Sequence, residues 1–398
     1  MLEGIKVLSF THFLQGPAAA QMLADVGADV IKIEPPDGAF ERNWSGFDAF
    51  VEGVSVFFLL GNRNQRSISL DLRDERAKEV VWRLVHEADV LIENYRPGVL
   101  QKMGFGYDDV HAINPRLVYC SCTGYGSSGP YSKRPGQDLL LQAMSGMTML
   151  SGQADSPPMP FGAAIVDQHA ATLAAFGVLA ALQARERTGA GMLVESNLLN
   201  AALDLQTEPL TYYMNKGPLW PRTQPPAGSR FHPAPYGVYG TLDGWIAISL
   251  TPIAKLALAL DRPDLAVFTD PKDNVLHRDE VNRIVHEALA ARSTVEWMNI
   301  FQEHAIWYAQ VNDYEQVEVD PQVAHNKMII HMKHSQAGPV RLLAHPVRYD
   351  GVAPALTRQP PAQGEHTREV LAELGYAPAE IDTLISGGAA LTEHKADT

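Results

Sequence analysis

The most constraining feature of this sequence is an alternation of short apolar runs with longer amphipathic segments over its first 125 residues. Five runs are typical of strands: IKVLSF (5–10), DVIKIE (29–34), SISLDL (67–72), DVLIEN (89–94) and RLVYCSC (116–122). The segments between them, such as RDERAKEVVWRLVHEA, repeat apolar residues at helical spacing. Short apolar strands separated by helices predict an α/β fold with a mostly parallel sheet, covered by helices on both faces.

The later part of the chain predicts a second, smaller domain. The proline-rich stretch GPLWPRTQPPAGSRFHPAP precedes YGVYGTLDGWIAISL, which predicts a β-hairpin turning at Asp243-Gly244. Helical segments follow, and from about 320 the chain becomes loops, short strands and two short helices. We therefore expect a large α/β domain over 1–200, a linker over 201–225, a small α+β domain over 226–320, and a linker with a C-terminal return to the large domain over 321–398.

Charge and cysteine content exclude several classes of protein. The formal net charge of −14 over 398 residues disfavours binding to nucleic acid or to an anionic membrane. The two cysteines, Cys120 and Cys122, lie two apart on one strand, which predicts buried thiols on the same face in a reducing cytosol. The sequence has no H-E-x-x-H and no paired C-x-x-C motif, so we expect no metal site. A signal peptide and a membrane span are not indicated either, which predicts a cytoplasmic protein.

The carboxyl ends of the predicted strands indicate where a ligand would bind, because parallel sheets bind ligands beyond that edge. Those ends carry Thr11-His12, Glu34-Pro35, 93–96 and 123–125, and Pro17 suits the first turn of a helix. Basic residues are concentrated in the same third of the chain: Lys32, Arg42, Arg63, Arg66, Arg96, Lys102 and Arg134. Each is typical of a solvated surface, but as a group they could serve a ligand with several phosphates.

The segment Gly124-x-Gly126-x-x-Gly129 matches the dinucleotide-binding fingerprint in letters only. That fingerprint must open a helix at once, and Pro130 and Pro135 prevent this. The pattern therefore predicts a flexible glycine loop that can move over a site.

Asp167 is the one carboxylate in FGAAIVDQHAATLAAFGVLAAL, at the start of an alanine-rich helix that runs to about Arg187. Aspartate at a helix start is commonly an N-cap. The same position also suits a nucleophile, since the helix dipole would keep the carboxylate ionised and small neighbours would leave room for a ligand. The residues alone leave both interpretations open. No G-x-S-x-G elbow accompanies His12 or His169, so a Ser-His-Asp hydrolase is not supported.

Several stretches, taken in order, resemble the class III CoA-transferases, also called the CaiB/BaiF or formyl-CoA transferase family. They are LEGIKVLSFTHFLQGPAAAQMLADVGADVIKIEPP, NRNQRSISLDL, ADVLIENYRPGVLQKMGFGYDD, INPRLVYCSCTGYGSSGPYSKRPGQDLLLQAMSGM, GAAIVDQHAATLAAFGVLAALQARERTGAGMLVESNL, PYGVYGTLDGWIAIS and GEHTREVLAELGY. They cover most of the chain, and the ordered set is more specific than any one piece.

The resemblance implies a Rossmann-like large domain built from both chain ends, an inserted small α+β domain, and an interlocked homodimer. It implies coenzyme A or acyl-CoA as co-substrate and no metal. The family's catalytic aspartate falls on Asp167, and its mobile glycine loop on Gly124, Gly126 and Gly129. Its CoA-contacting positions fall on His12, Phe13, Leu14, Leu70, Asn94, Tyr95 and Lys102.

Three departures bear on specificity. Some formate- and oxalate-type relatives carry glutamine where this chain has Leu14, with Gln15 one place later, and the glycine-rich lid of the formyl-CoA enzymes is absent from 220–235. Both argue against formate or oxalate specificity. The α-methylacyl-CoA racemases of the family place histidine where this chain has Gln137, and glutamine cannot shuttle a proton.

The resemblance therefore implies an acyl-CoA:carboxylate CoA-transferase, in which Asp167 forms an anhydride and then an aspartyl-CoA thioester with a small carboxylic acid as acceptor. Backbone N–H groups of the 124–129 loop are candidate oxyanion donors. Two alternatives remain: a racemase-type isomerase with Asp167 and His169 as bases, and a non-catalytic or nicotinamide-binding α/β protein in which Asp167 is only a cap.

Overall fold

A computed structural model describes residues 1–219, 221–224 and 228–392. The chain forms two compact units. The large unit comprises 1–141, 164–201 and 321–398, and the small unit comprises 142–163 and 202–320. Residues 142–163, which the sequence placed in the large domain, thus group with the small unit. Of the expected 201–225 linker, 201–204 and 207–214 are helical, and 220 and 225 lie outside the described residues. Residues 226–227 of the expected small domain and 393–398 of the C-terminal return also lie outside them.

The strands of the described residues are mostly short. In chain order they are β1 Lys6–Phe10, β2 Asp29–Glu34, β3 Phe50–Val51, β4 Val54–Ser55, β5 Gln65–Leu70, β6 Val90–Glu93, β7 Val118–Thr123, β8 Leu193–Asn197, β9 Gly237–Gly240, β10 Trp245–Ile248, β11 Tyr308–Gln310, β12 Ile329–His334, β13 Gly338–Leu343 and β14 Ala390–Leu391.

The α-helices range from a single turn to 24 residues. In chain order they are α1 Gln15–Asp25, α2 Val56–Gly61, α3 Glu75–Glu87, α4 Val99–Lys102, α5 Tyr107–Ile113, α6 Asp138–Met144, α7 Ile165–Thr188, α8 Leu198–Asp204, α9 Thr207–Met214, α10 Ile253–Ala259, α11 Pro271–Leu276, α12 Arg278–Leu289, α13 Thr294–Glu303, α14 Tyr314–Val319, α15 Pro321–Asn326, α16 Thr367–Glu373 and α17 Pro378–Ser386.

A seven-stranded sheet forms the centre of the large unit, in the order β14-β5-β2-β1-β6-β7-β8. Every pairing is parallel except that of β14 with β5. The predicted α/β class with a mostly parallel, Rossmann-like sheet is therefore confirmed. The predicted strand at 67–72 corresponds to β5, which begins and ends two residues earlier. It ends at Leu70 because the Asp71 carbonyl accepts the Asp74 N–H at 2.9 Å and closes a turn there.

Two hydrophobic layers cover this sheet. Alternate strand residues point to opposite faces, so Leu8 joins the layer formed with α3, α16 and α17, while Val7 joins the layer formed with α1 and α7. Burial on both faces explains the uninterrupted apolar run Val90–Ile92 of β6, whereas β5 buries polar residues such as Ser67 and Ser69. Cys120 and Cys122 are free, buried thiols in the same layer, as predicted.

Helix α7 is the single helix of the described residues that is long and apolar enough to cross a membrane by length and composition. In the large unit it packs against α1 and covers β7 and β8. Its buried stripe of small residues, including Ala170, Ala171 and Ala174, lies in the layer shared with α1. Core packing therefore accounts for one face of its apolar composition, since 44% of its most apolar stretch is buried. The helix ends at Gly189, whose φ of 74° is the left-handed conformation of a helix C-cap.

The small unit has its own core around an antiparallel sheet in the order β11-β10-β9. The predicted hairpin is present, and the Thr241 N–H bonds the Gly244 carbonyl at 2.9 Å across its turn. Tyr239, Ile246, Leu256 and Phe301 are fully buried in this core.

Candidate active site

One edge of the large sheet collects most of the residues predicted to act on a ligand. Helices α1 and α7 each lead into a strand parallel to the one that precedes them, so both begin at the carboxyl edge of the sheet. His12 follows β1, Asn94 and Tyr95 follow β6, the glycine loop follows β7, and Asp167 lies in the first turn of α7. This is the edge where parallel sheets bind ligands.

The turn between β1 and α1 is tightly held. The Asn94 side chain accepts the His12 N–H at 2.9 Å and donates to the His12 carbonyl at 2.8 Å. A Cβ on Gly16 would come within 2.9 Å of Thr11 and Asn94, so only glycine allows this close approach. Phe13 adopts a φ of 59°, a left-handed conformation that is unfavourable for a bulky residue.

A cavity of about 460 Å³ opens beside this turn. Its walls are mainly aromatic and apolar and include His12, Phe13, Pro35, Phe40 and Tyr95. The rings form a chain of contacts, with centroids 5.2 Å apart for His12 and Tyr95 and 4.7 Å apart for Phe13 and Phe40. Burial lowers the pKa of His12, which Glu41 partly opposes, so the ring at the cavity wall favours its neutral form.

The remaining predicted CoA-contacting residues divide into three groups. Asn94 shapes the turn through the His12 backbone rather than by lining the cavity. Leu14 and Leu70 are 8% and 0% exposed and lie in the two core layers, so their side chains do not reach the cavity. Lys102 ends α4 with an exposed side chain that has no partner among the described residues.

Four of the seven basic residues proposed to bind phosphates are held in ion pairs instead, and of these Lys32, Arg63 and Arg66 are buried while Arg42 is half-buried. These pairs are Lys32–Glu41, Arg42–Glu34, Arg63–Asp25 and Arg66–Asp29. The expectation that they serve a phosphorylated ligand is wrong, because their charges are already neutralised. Arg96, Lys102 and Arg134 remain exposed.

The glycine loop depends on its glycines in two different ways. A Cβ on Gly124 would lie 2.7 Å from the Gly136 Cα, so the two ends of the loop meet backbone to backbone. Gly126 and Gly129 have φ values of 102° and 87°, which favour glycine. The next helix begins only at Asp138, as expected for a loop that is not a dinucleotide fingerprint. The Gly126 N–H already bonds the Thr123 hydroxyl at 2.9 Å, which removes it as an oxyanion donor in this conformation.

Asp167 does not cap its own helix. Helix α7 begins at Ile165, so Asp167 is the third helical residue, and the cap is Asp138 from 29 residues upstream. One Asp138 carboxylate oxygen accepts the N–H groups of Val166 at 2.7 Å and Asp167 at 2.9 Å. The interpretation of Asp167 as an N-cap is therefore wrong.

The Asp167 carboxylate is partly buried and has no hydrogen-bond partner among the described residues. Burial, followed by the nearby Asp138 charge, raises the pKa of Asp167 to about 7. Burial and the Asp138 charge therefore oppose the helix dipole, which alone would favour the ionised form. A carboxylate without partners near neutral pH is basic and poorly stabilised, which are properties of a reactive group.

The sequence left three further polar groups at this edge without a role. Asp138 begins α6, yet its side chain caps α7. Glu93 is buried at the end of β6, and burial raises its pKa to about 7 against hydrogen bonds from the Ser121 hydroxyl and the Tyr95 N–H. Gln15 is 5% exposed, and its amide nitrogen has no partner among the described residues. The position of Glu93 at a strand end was a signal that could have identified it. The contact of Asp138 with the start of α7 joins residues far apart in the sequence, so no local pattern indicated it.

A parallel sheet whose carboxyl edge carries a cavity, a glycine loop and a partly buried, unpartnered carboxylate defines an α/β enzyme. The family model for CoA-transferase family III matches residues 2–367, and the chain belongs to that family.

Its relatives include the succinyl-CoA:glutarate CoA-transferase of Mus musculus, 34% identical over 97% of this chain and 89% of that protein. The succinyl-CoA–D-citramalate CoA-transferase of Chloroflexus aurantiacus is 32% identical over 94% of each. Among solved structures, a CaiB/BaiF family protein from Brucella suis superposes with a TM-score of 0.81 at 31% identity, covering 94% of this chain and 99% of that one.

Proposed function

We propose that this protein moves CoA from an acyl-CoA donor to a small carboxylic acid, with Asp167 as the nucleophile. The observation that carries the proposal is the Asp167 carboxylate, whose pKa is raised to about 7 and which has no partner among the described residues. Family membership supports CoA transfer in general. The assignment of Asp167 as the nucleophile combines the resemblance of its surrounding sequence to the family with this geometry.

The proposed reaction begins with attack of an Asp167 oxygen on the thioester carbonyl. The C–S bond breaks to give a mixed anhydride and CoA thiolate. The thiolate then attacks the aspartyl carbonyl, which releases the donor acid as a carboxylate and leaves an aspartyl-CoA thioester. The acceptor carboxylate attacks this thioester and forms a second anhydride. The thiolate takes the acceptor acyl group, and the Asp167 carboxylate is regenerated. An acylated carboxylate is needed because it keeps the activation of the thioester.

The 124–129 loop has two proposed tasks. Covering the site would exclude water, to which an anhydride is sensitive. Backbone N–H groups of the loop other than that of Gly126 would stabilise the oxyanion. The left-handed Gly126 and Gly129 give this loop the backbone freedom that closure requires.

CoA is proposed to bind at the cavity beside the β1–α1 turn. Its aromatic walls, which include His12, Phe13 and Tyr95, suit the adenine ring or the pantetheine arm. The exposed cations Arg96, Lys102 and Arg134 replace the buried ion pairs as candidates for its phosphates.

We propose dicarboxylic acids with main chains of four or five carbons as the substrate class. The names of two relatives pair succinyl-CoA with glutarate or D-citramalate, both dicarboxylic acids. The two departures at Leu14 and in 220–235 argue against formate- or oxalate-type specificity.

We also propose an interlocked homodimer in the cytoplasm. Helix α7 presents Phe176 and Leu179 to solvent, 68% and 41% exposed, which is an apolar surface that a second copy would cover. The buried free thiols Cys120 and Cys122 suit a reducing compartment. Light scattering of the purified protein tests the dimer, and a monomer at micromolar concentration would contradict it.

A donor-by-acceptor matrix tests the function. Succinyl-, acetyl- and formyl-CoA are each combined with small mono- and dicarboxylates, and the new thioesters are identified by mass. Trapping with hydroxylamine or borohydride during turnover should modify the peptide that contains Asp167, and Asp167→Asn should abolish both transfer and trapping. Transfer that survives this substitution, with no modification at Asp167, would refute the proposed mechanism.

The same protein preparation can be used to test the racemase alternative. A racemase would incorporate deuterium at the α-carbon of a 2-methylacyl-CoA without any acceptor acid. Asp167 and His169 are two residues apart on α7, so their side chains point in different directions and do not form a facing pair of bases. We therefore expect no incorporation.

A further inference from the structure

Lys32 and Glu41 form a fully buried ion pair beside the cavity, and both side chains are 0% exposed. The Lys32 ammonium lies 3.1 Å from one Glu41 oxygen and 2.8 Å from the Thr11 carbonyl oxygen. The other Glu41 oxygen accepts the Phe13 N–H at 3.0 Å. The pair therefore grips the β1–α1 turn at two backbone positions, on either side of His12.

The turn requires such support because its backbone is strained. Phe13 has a φ of 59°, and a non-glycine residue in this region persists only when its surroundings hold it there. The strained residue keeps its ring 37% exposed and in contact with Phe40. Both rings line the cavity. Without the Glu41 acceptor, the Phe13 N–H would lose its partner and the turn could relax.

Stability alone is a poor explanation for this pair. Burying two charges costs about as much as their attraction returns, and apolar replacements of similar volume are often neutral or stabilising. A buried pair that also bonds the backbone of a strained turn gives something an apolar pair cannot, namely a fixed backbone position.

We propose that Glu41 is a positioning residue for CoA binding, which acts by fixing the Phe13 backbone so that His12 and Phe13 keep the shape of the cavity. Lys32 is the counter-charge that allows Glu41 to remain buried as an acceptor. This inference rests on the proposed function, since it identifies the cavity as the CoA site.

The test separates the acceptor from the charge with two double variants. Lys32→Met/Glu41→Gln removes both charges but keeps an amide oxygen that can accept the Phe13 N–H. Lys32→Met/Glu41→Leu removes both charges and the acceptor. The readouts are the Kd for CoA by calorimetry, kcat and KM for the acyl-CoA donor, and amide hydrogen exchange at Phe13.

We expect the Gln double variant to bind CoA within about threefold of wild type, and the Leu double variant to bind about tenfold more weakly, as for the loss of one charge-assisted hydrogen bond. KM for the donor should rise by the same factor, with kcat changed less than about twofold, because Asp167 is untouched. Exchange at Phe13 should accelerate in the Leu variant only, and this readout remains available if CoA affinity is hard to measure.

A matched control is the buried pair Arg63–Asp25 at the other end of α1. Arg63→Met/Asp25→Leu should lower the melting temperature, because the Leu343 carbonyl and the buried Asn64 amide each lose a hydrogen-bond partner, and it should leave the Kd for CoA unchanged. That result would show that lost stability alone does not weaken binding. Equal Kd values and equal Phe13 exchange in the two Lys32/Glu41 double variants would overturn the inference. Wild-type protein that binds CoA without transferring it would contradict the proposed function alone, since the two variants would still be compared by Kd.

Discussion

Replacing Asp167 by asparagine should stabilise the unliganded protein at high pH. The pKa of Asp167 is raised from its ordinary value of 3.8 to about 7, first by burial and then by the charge of Asp138. A group whose pKa is raised on folding contributes stability that is complete below the unfolded value and is lost as the pH rises through about 7. Asparagine has nearly the same shape and cannot ionise, so it escapes this loss.

The size of the effect follows from the shift. A pKa raised from 3.8 to about 7 corresponds to about 4 kcal/mol at pH 8.5 and to less than half of that at pH 5. Asp167 retains some solvent access, so we expect the measured gain at pH 8.5 to be about 2 kcal/mol. If Asp167 acted through the helix dipole instead, asparagine would lose about 0.3–1 kcal/mol at the same pH.

Urea unfolding of wild type and Asp167→Asn at pH 5 and pH 8.5 measures the difference. Asp74→Asn is the matched control, because Asp74 caps α3 through the Arg76 N–H and its pKa is lowered, chiefly by hydrogen bonds from Arg76. That control should lose stability at pH 8.5, opposite in sign to Asp167→Asn. An Asp167→Asn variant less stable than wild type at pH 8.5, or equally stabilised at both pH values, would refute the reasoning.

Three further substitutions probe the same edge. Asp138→Asn keeps a cap acceptor but removes the charge that raises the pKa of Asp167, so the acid limb of the kcat/KM profile should move to lower pH; rates measured from pH 5 to 9 check this, and an unmoved limb contradicts it. Gly124→Ala places a Cβ 2.7 Å from the Gly136 Cα and should cost about 2–4 kcal/mol in calorimetric melting; an unchanged melting temperature would show that the loop ends can separate freely. Leu70→Ala should cost about 2–5 kcal/mol in urea unfolding yet leave the Kd for CoA within about twofold, because its side chain lies in the core; a large rise in Kd would place it at the ligand.

The large sheet was predictable because its signals are local. Strands buried on both faces carry short apolar runs, and β1, β2, β6 and β7 were found within two residues of their ends. The boundary between the units was not predictable in the same way. The change of unit after Leu141 falls inside helix α6, where no turn or proline marks it, yet 142–163 group with the small unit.

The site shows the same division between local and long-range information. Position at a strand end indicated His12, Asn94 and Tyr95, which lie together at the carboxyl edge of the sheet because strand order and loop position are encoded locally; their role in binding stays a prediction. The prediction that Lys32 and Arg42 bind phosphates was wrong, since a basic residue near a strand end can form an ion pair within the protein as easily as it can face a ligand. Only the contacts with Glu41 and Glu34 decide which it does.

Asp138 explains how a helix start can carry a reactive carboxylate. In a carboxylate that capped its own helix, the oxygens would accept hydrogen bonds from backbone N–H groups, and those bonds would lower its pKa and its reactivity. Here the cap comes from a distant residue, so the N–H groups of Val166 and Asp167 are satisfied while the Asp167 oxygens stay unpartnered among the described residues. The same distant carboxylate adds its charge to burial and raises the pKa further. This buried, unpartnered carboxylate lowers the free energy of unfolding once it ionises, which the Asp167→Asn variant should reveal. A loss of stability that no neighbouring interaction offsets is typical of a functional site.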